Sequence, residues 1–235
     1  MIQKGNLYLF PTPLGDNAVN EVIPDYNTGI MMQLDIFIVE ELRTARRFLR
    51  KSGYTRDFET VTFHLLNEHT QPEELTSYLD EAMAGKNVGL LSEAGCPAIA
   101  DPGAQIVSLA HEKNIRVIPL TGPSSIILSL MASGMNGQQF TFHGYLPAKP
   151  DERKLKIREL ERISLKQSHT QIFIEAPYRN KQMIDTLLET CNEHTLLCIA
   201  SNITLPDESI HTKTIKEWRK SKPDQGKKPT VYLLL

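Results

Sequence analysis

The sequence predicts an α/β protein made of two α/β domains with mainly parallel or mixed sheets. Short apolar runs bounded by turn residues alternate along the chain with segments of helical periodicity, and this alternation is typical of strand–helix–strand units. Three of the apolar runs end in loops rich in proline and glycine. Ligands bind at the carboxyl ends of the strands in an open α/β sheet, so these loops are the candidate functional elements.

The first domain is predicted over residues 1–119. Its apolar runs predict strands at residues 7–10, 36–39, 60–63, 87–91 and 116–119. The segments between them repeat apolar residues every three or four positions, which predicts helices near 42–51, 72–84 and 104–113.

The second domain is predicted over residues 120–235, and the same two patterns continue through it. Helices are predicted from Ser124 to about Ser133 and near 151–163, 179–191 and 214–221. Strands are predicted near 140–143, 170–175, 195–200 and 230–235. We expect a ligand cleft between the two domains.

Each of the three loops joins a strand to the residues of the next element. The first covers Pro11–Asp16, the second covers Ser92–Gly103, and the third begins at Thr121-Gly122-Pro123. Glycine and proline in such positions allow the backbone to approach a ligand closely. An ordinary turn between a strand and a helix is the alternative interpretation of any one loop taken alone.

The loops carry a family resemblance. The chain resembles the tetrapyrrole methylase superfamily, and within it the ribosomal small-subunit RNA 2′-O-ribose methyltransferase I family. The matching motifs are P-T-P-L-G at 11–15, S-E-A-G-C-P at 92–97, D-P-G at 101–103, T-G-P at 121–123 and G-Y-L-P-A-K at 144–149. Two of them depart from the family pattern, since Glu93 stands for an aspartate and Thr121 for a proline. The resemblance is continuous from about residue 5 to 150.

The resemblance implies a cofactor, S-adenosylmethionine, bound in a folded conformation in the cleft between the domains of a homodimeric enzyme. The residues that it places around the cofactor are Pro13, Leu14, Gly15, Glu93, Ala94, Gly95, Ile99, Ser124, Ser125, Tyr145 and Leu146. The chain has no G-x-G-x-x-G motif, which disfavours a dinucleotide-type fold. Its histidines show no metal-ligand spacing, and we expect no metal.

Candidate catalytic and substrate residues lie in the second loop and directly after the second strand. A ribose hydroxyl is a poor nucleophile, and Glu93 is a candidate to accept its proton; binding the cofactor's ammonium group and capping a turn are alternatives. Arg43 is retained where the family has A-E-D-T-R, and it is a candidate contact to substrate, or an ion-pair partner of Glu40 or Glu41. Arg43, Arg46, Arg47 and Arg50 share one helix face, which predicts either contact with an RNA backbone or a solvated surface.

The second domain departs from the family in two places. A family motif with three charged residues corresponds here to Ser201–Leu205, where those charges are missing, and a second motif corresponds to Lys228-Pro229-Thr230. Lost charges of this kind affect how a charged substrate is held. The sequence therefore leaves the methyl acceptor, and turnover itself, open.

The composition is that of a globular enzyme. The chain has 235 residues with 40% hydrophobic and 23% charged residues, which is enough to bury a sizeable core. Three cysteines without a C-x-x-C pair argue against a disulfide framework. No apolar run is long enough to cross a membrane and the first residues lack a signal-peptide pattern, so we expect a cytoplasmic protein. The net charge of −2 means that RNA would be held by a local basic patch.

The function predicted from the sequence is methylation of a ribose 2′-hydroxyl of 16S ribosomal RNA with S-adenosylmethionine. Two alternatives remain open. The same scaffold could methylate another acceptor, such as a tetrapyrrole or a modified protein side chain, or it could bind the cofactor without turnover as a module that binds the ribosome or a partner.

Overall fold

The computed structural model describes residues 3–221 and 223–235. The chain divides into two compact units, Met1–Ser124 and Ser125–Leu235. The division lies five residues beyond the boundary expected after residue 119. Residues 120–122 belong to the first unit because the Leu120 amide donates to Leu9 O (3.1 Å) and Asn27 Nδ2 donates to Thr121 O (2.8 Å).

Five parallel strands form the sheet of the first unit, in the order β3-β2-β4-β1-β5. The strands are β1 Asn6–Phe10, β2 Ile36–Val39, β3 Thr62–Leu65, β4 Val88–Leu91 and β5 Arg116–Pro119. The helices are α1 Val19–Val22, α2 Asp25–Met31, α3 Leu42–Lys51, α4 Pro72–Leu75, α5 Asp80–Met83 and α6 Ala104–Glu112. All residues of β2 and β4 are buried, as expected for parallel strands covered on both faces.

The second unit has a mixed sheet in the order β6-β7-β10-β8-β9, in which only β6 and β7 are parallel neighbours. The strands are β6 Phe140–Tyr145, β7 Thr170–Glu175, β8 Leu196–Ser201, β9 Ser209–Thr214 and β10 Thr230–Leu234. The helices are α7 Ser125–Ser133, α8 Pro150–Gln167, α9 Asn180–Thr190 and α10 Ile215–Ser221. The predicted class, two α/β domains with parallel or mixed sheets, is confirmed.

Several elements differ from the sequence prediction. The third strand lies two residues later than predicted, and the helix predicted at 72–84 is divided into α4, a 3₁₀ turn at Ser77–Leu79 and α5. Helices α1 and α2 were missed, because the sequence Asp25–Met31 contains asparagine, threonine and glycine, which are weak helix formers. Strand β9 was missed because it is a polar edge strand without a buried face.

None of the helices that the structure describes combines the length and the apolar character needed to cross a lipid bilayer.

Candidate active site

The three proline and glycine loops meet at one edge of the first sheet. Strand β1 lies between β4 and β5, so the carboxyl ends of the three strands are side by side. The Thr12 amide donates to Gly95 O (2.9 Å) and the Gly95 amide to Thr12 O (3.1 Å), which joins the first loop to the second. A Cβ atom added to Gly122 would lie 2.4 Å from Pro11 Cβ, so the third loop packs directly on the first.

Gly95 holds a backbone conformation that the second loop requires. Its φ is +83°, in the left-handed region, and an added Cβ would lie 3.2 Å from Leu14 Cδ2. The Ser92 hydroxyl donates a hydrogen bond to Gly95 O within the same turn, and this bond stabilises the turn. A side chain at this position would therefore be strained and would crowd the first loop.

The second loop contains further residues in the left-handed region. Ala98 has φ 65° and Ala100 has φ 58°, conformations that non-glycine residues adopt at a cost of about 1–3 kcal/mol. Ile99 lies between them with 55% of its surface exposed. The loop thus presents an apolar side chain to solvent on a strained backbone, and such strain is typical of functional sites.

The first two loops and α3 line an open pocket of about 380 Å³, which is within the size range of small-ligand sites. Five residues predicted to surround a cofactor line this pocket: Pro13, Leu14, Gly15, Glu93 and Ala94. Its remaining lining residues are Thr12, Asp16, Asn17, Val19, Thr44, Ala45, Arg47, Phe48, Lys51, Leu91 and Ser92. All of these residues belong to the first unit.

Glu93 is exposed, and its carboxylate is oriented by α3. Thr44 Oγ1 donates to Glu93 Oε1 at 2.7 Å. The Thr44 amide donates to Oε2 of Glu41, the N-cap residue of α3, at 2.7 Å. The same threonine therefore fixes both the start of the helix and the carboxylate on the second loop.

Two further carboxyl groups, Glu40 and Asp101, lie near Glu93, and the sequence reasoning did not single them out as candidates. Their side chains share a hydrogen bond. Burial raises the pKa of Asp101 to about 7, with repulsion from Glu40 adding to the rise. Burial and the charge of Glu93 also raise the pKa of Glu40. Their positions in the sequence could have marked them as candidate site residues, because Glu40 directly follows β2 and Asp101 lies between β4 and α6.

The four arginines of α3 have different environments. Arg43 and Arg47 are exposed, and Arg47 lines the pocket. The Arg46 guanidinium lies 5.4 Å from the ring centres of both Phe58 and Phe63, and that of Arg50 lies 3.9 Å from Phe58. Two of the four predicted substrate contacts are therefore already stacked on aromatic rings of the chain.

The remaining predicted site residues lie in or next to the second unit. Ser124 is the last residue of the first unit, and Ser125 begins α7. Tyr145 ends β6 with 60% of its surface exposed. Leu146 is only 4% exposed and packs in the core of the second unit with Phe173 and other apolar residues. This packing argues against the prediction that the Leu146 side chain contacts a ligand, because nearly all of its surface is in contact with the core.

The two segments that depart from the family pattern contact each other. The hydroxyl groups of Ser201 and Thr230 are 2.8 Å apart and buried, and the Asn202 amide donates to Pro229 O at 3.0 Å. Asp207 accepts from Asn202 Nδ2 and pairs with Lys228 Nζ at 3.0 Å. The uncharged replacements thus contact each other at the end of β8 and the start of β10, beside the exposed ion pair of Asp207 and Lys228.

Among residues 3–221 and 223–235, no group of three histidine, cysteine, aspartate or glutamate side chains is placed to hold a metal ion.

Solved structures with a similar fold include the methyltransferase CobJ, with a TM-score of 0.62 at 17% identity, covering 98% of this chain and 93% of that chain. They also include uroporphyrin-III C-methyl transferase from Thermus thermophilus complexed with S-adenyl homocysteine, with a TM-score of 0.59 at 16% identity, covering 98% and 97%. No family model matches the chain.

Curated relatives cover nearly the whole sequence. The chain is 30% identical over 232 residues to ribosomal RNA small subunit methyltransferase I of Vibrio cholerae serotype O1, covering 97% of this chain and 76% of the relative. It is 31% identical over 233 residues to the protein of the same name from Haemophilus influenzae, covering 98% and 78%. With this identity over this length, and with the fold of the tetrapyrrole methylases, the chain belongs to the ribosomal RNA small subunit methyltransferase I family.

Proposed function

We propose that this protein methylates a ribose 2′-hydroxyl of 16S ribosomal RNA, using S-adenosylmethionine as the methyl donor. One observation carries the proposal: three loops from adjacent parallel strands meet at one edge of the sheet, and two of them line an open pocket, in a chain of this family. The relatives are named as methyltransferases of small-subunit ribosomal RNA, and the acceptor is inferred from them. Cytoplasmic location and a homodimeric state are part of the same proposal.

The loops fit the proposed cofactor. A Cβ atom added to Gly95 would lie 3.2 Å from Leu14 Cδ2, so glycine allows the first two loops to pack closely beside the pocket. Pro13, Gly15 and Ala94 line the adjoining pocket. Ile99, Ser124, Ser125 and Tyr145 are proposed contacts from the rest of the site. When bound, the cofactor supplies an electrophilic methyl group whose sulfur leaves without needing a proton.

The chain's own contribution is to position the acceptor and to remove its proton. Glu93 is the proposed proton acceptor, because its carboxylate is exposed beside the pocket and held by Thr44. Glu93 would accept the proton of the ribose hydroxyl as its oxygen takes the methyl group that the bound cofactor would supply, with the neutral thioether as the leaving group. Orientation of the two reactants is the larger effect, since effective molarities of about 10⁵ M or more are available from it.

The proposed RNA contacts lie on α3. Arg43 and Arg47 are exposed at the start and middle of the helix. Arg46 and Arg50 can add charge to the same face, although their guanidinium groups lie over the ring of Phe58. A basic face of this kind neutralises phosphates, which gives RNA binding a steep dependence on salt.

Two measurements test the proposal. Isothermal titration calorimetry with S-adenosylmethionine should give saturable heat, and its absence at high protein concentration would rule out the donor. Ribose methylation of 16S RNA is then compared between cells with and without the gene. Loss of one ribose methyl group is expected in the cells that lack it. Unchanged RNA together with donor binding would exclude 16S ribosomal RNA as the acceptor.

A further inference from the structure

One wall of the pocket is cationic, and apolar side chains lie next to it. Arg47 and Lys51 lie one helical turn apart on α3, and both line the pocket. Leu14, Phe48 and Leu91 supply apolar surface next to them. A nucleotide combines the same two chemistries, because its phosphate is anionic while its base and sugar offer flat or weakly polar faces.

The cationic wall already carries an anion from the chain itself. Lys51 Nζ is hydrogen-bonded to Asp16 Oδ1, which lies at the end of the first loop. The hydrogen bond and charge of Lys51, with the charge of Arg47, lower the pKa of Asp16. The Asp16 side chain is 90% exposed, so water reaches this ion pair freely. An exposed pair of this kind contributes little stability and is easily exchanged for another anion.

The pair also stands where two cavities meet. Asp16, Asn17, Val19 and Lys51 line both the pocket described above and a second open cavity of about 470 Å³. The second cavity extends along α1 and α2 and is lined by polar residues such as Asn20 and Thr28. An RNA strand that extends from one cavity into the other would run along these shared residues, and Lys51 supplies their positive charge.

We propose that Arg47 and Lys51 bind a backbone phosphate of the RNA strand next to the methylated ribose, and that this phosphate displaces Asp16 from Lys51. The inference rests on the proposed function. Glu93 lines the same pocket as the two cations, so a single nucleotide can place its phosphate at the cationic wall and its ribose towards the carboxylate. The guanidinium fork and the ammonium group are the usual ligands of phosphate oxygens.

Arg46 and Arg50 do not belong to this phosphate site. Both stack on Phe58, and neither lines the pocket. Arginines on one face of α3 therefore have different roles. Arg47 binds the RNA strand inside the pocket together with Lys51, which no sequence motif indicates.

The test is equilibrium binding of a fluorescein-labelled single-stranded RNA of twelve nucleotides, followed by anisotropy between about 0.05 and 0.3 M salt. Removing both cations in the double variant Arg47→Gln/Lys51→Gln should lower the slope of log affinity against log salt by about 0.7, the contribution of one phosphate. Lys51→Gln and Arg47→Gln alone should each lower it by part of this amount and weaken binding roughly fivefold at 0.1 M salt. Asp16→Asn should strengthen binding, because the competing carboxylate is removed. Lys51→Arg should retain most of the affinity.

The matched control is Lys86→Gln, which removes an exposed lysine at the amino end of β4, the end of the strand opposite the loops. It should leave affinity and salt slope unchanged. Circular dichroism establishes that each variant is folded before binding is measured.

Three results would overturn the assignment. Folded Lys51→Gln and Arg47→Gln proteins with wild-type RNA affinity and slope would do so, as would weaker binding by Asp16→Asn. A change in S-adenosylmethionine affinity without a change in RNA affinity would assign the two cations to the cofactor. Wild-type calorimetry and methylation, measured on the same preparations, test the proposed function separately, because that function can stand while this pocket assignment falls.

Discussion

Gly95 illustrates how one residue limits what the site can accommodate. Its φ of +83° is strained for any residue with a side chain, and a β-branched side chain would also press on Leu14. We expect Gly95→Val to abolish S-adenosylmethionine binding, measured by calorimetry, because the backbone of the altered loop can no longer contact the ligand.

Gly29→Val is the matched control for that substitution. Gly29 lies in α2, its φ is not in the left-handed region, and a Cβ atom there meets nothing within 4 Å. This variant should bind the cofactor normally. Normal binding by Gly95→Val as well would show that the second loop is only a turn.

Asp101 makes the stability of the protein dependent on pH. Burial raises its pKa in the folded protein to about 7 from the usual 3.8, so between these pH values the folded protein holds a proton that the unfolded chain has lost. Stability therefore falls as pH rises from about 4 to about 7, and the penalty is constant at higher pH.

Asp101→Asn should flatten this decline, because the substituted side chain has no proton to lose. Urea denaturation at several pH values between 4 and 8 measures the free energy of unfolding for wild type and variant. Asp80→Asn, at an exposed position in the same unit, should leave the wild-type profile unchanged. An unchanged profile for Asp101→Asn would contradict the raised pKa.

At the scale of elements, α3 connects the carboxylate on the second loop to the arginines of the candidate site. The Thr44 amide donates a hydrogen bond to the N-cap residue Glu41, and the Thr44 hydroxyl donates one to Glu93 on the second loop. The opposite face of α3 buries Ala45 and Leu49 in the core beside β2. The helix therefore couples the packing of the sheet to the position of the carboxylate and of the arginines.

Arg43 and Arg50 on this helix should respond differently to substitution by alanine. Arg43→Ala should weaken RNA use with unchanged cofactor affinity and stability, because the side chain is exposed. Arg50→Ala should cost about 1 kcal/mol of stability, since its guanidinium stacks on Phe58 and donates to Tyr54 O. Methylation kinetics and urea denaturation separate the two effects. Wild-type turnover by a folded Arg43→Ala protein would remove Arg43 from the mechanism.

At the scale of the whole molecule, each unit has a sheet and a core of its own. Phe173 and Tyr232 stack with ring centres 5.7 Å apart in the core of the second unit, and Trp218 is buried in the same core. Trp218 is the only tryptophan of the sequence, and its indole donates to Leu197 O at 2.8 Å. Its fluorescence therefore reports the folding of this unit.

Phe173→Ala should lower the free energy of unfolding, followed by Trp218 fluorescence in urea, by about 3–5 kcal/mol. The loss combines the transfer of a fully buried ring with the cavity left beside Tyr232. Phe173→Leu keeps most of the volume and should cost clearly less. Equal effects of the two substitutions would show that the site tolerates a cavity.

Local sequence patterns determine most of the secondary structure and the loops of this protein. The periodicity of apolar residues specifies most strands and helices, because burial of one face is a local pattern. The proline and glycine motifs specify loops, since few other residues adopt their backbone conformations. Elements without a strong pattern, such as α2 and β9, form only because neighbouring elements pack on or pair with them.

What the sequence determined by itself was the α/β class, the three loops and the family to which their motifs point. Only the tertiary structure decided which charged groups share an environment. It placed Asp101 against Glu40, stacked Arg46 and Arg50 on Phe58, and brought Asp16 to Lys51 across the pocket. Glu40 and Asp101, like Asp16 and Lys51, are distant in sequence. Burial and charge interactions depend on distance in space, which is fixed only when the strands are ordered in the sheet.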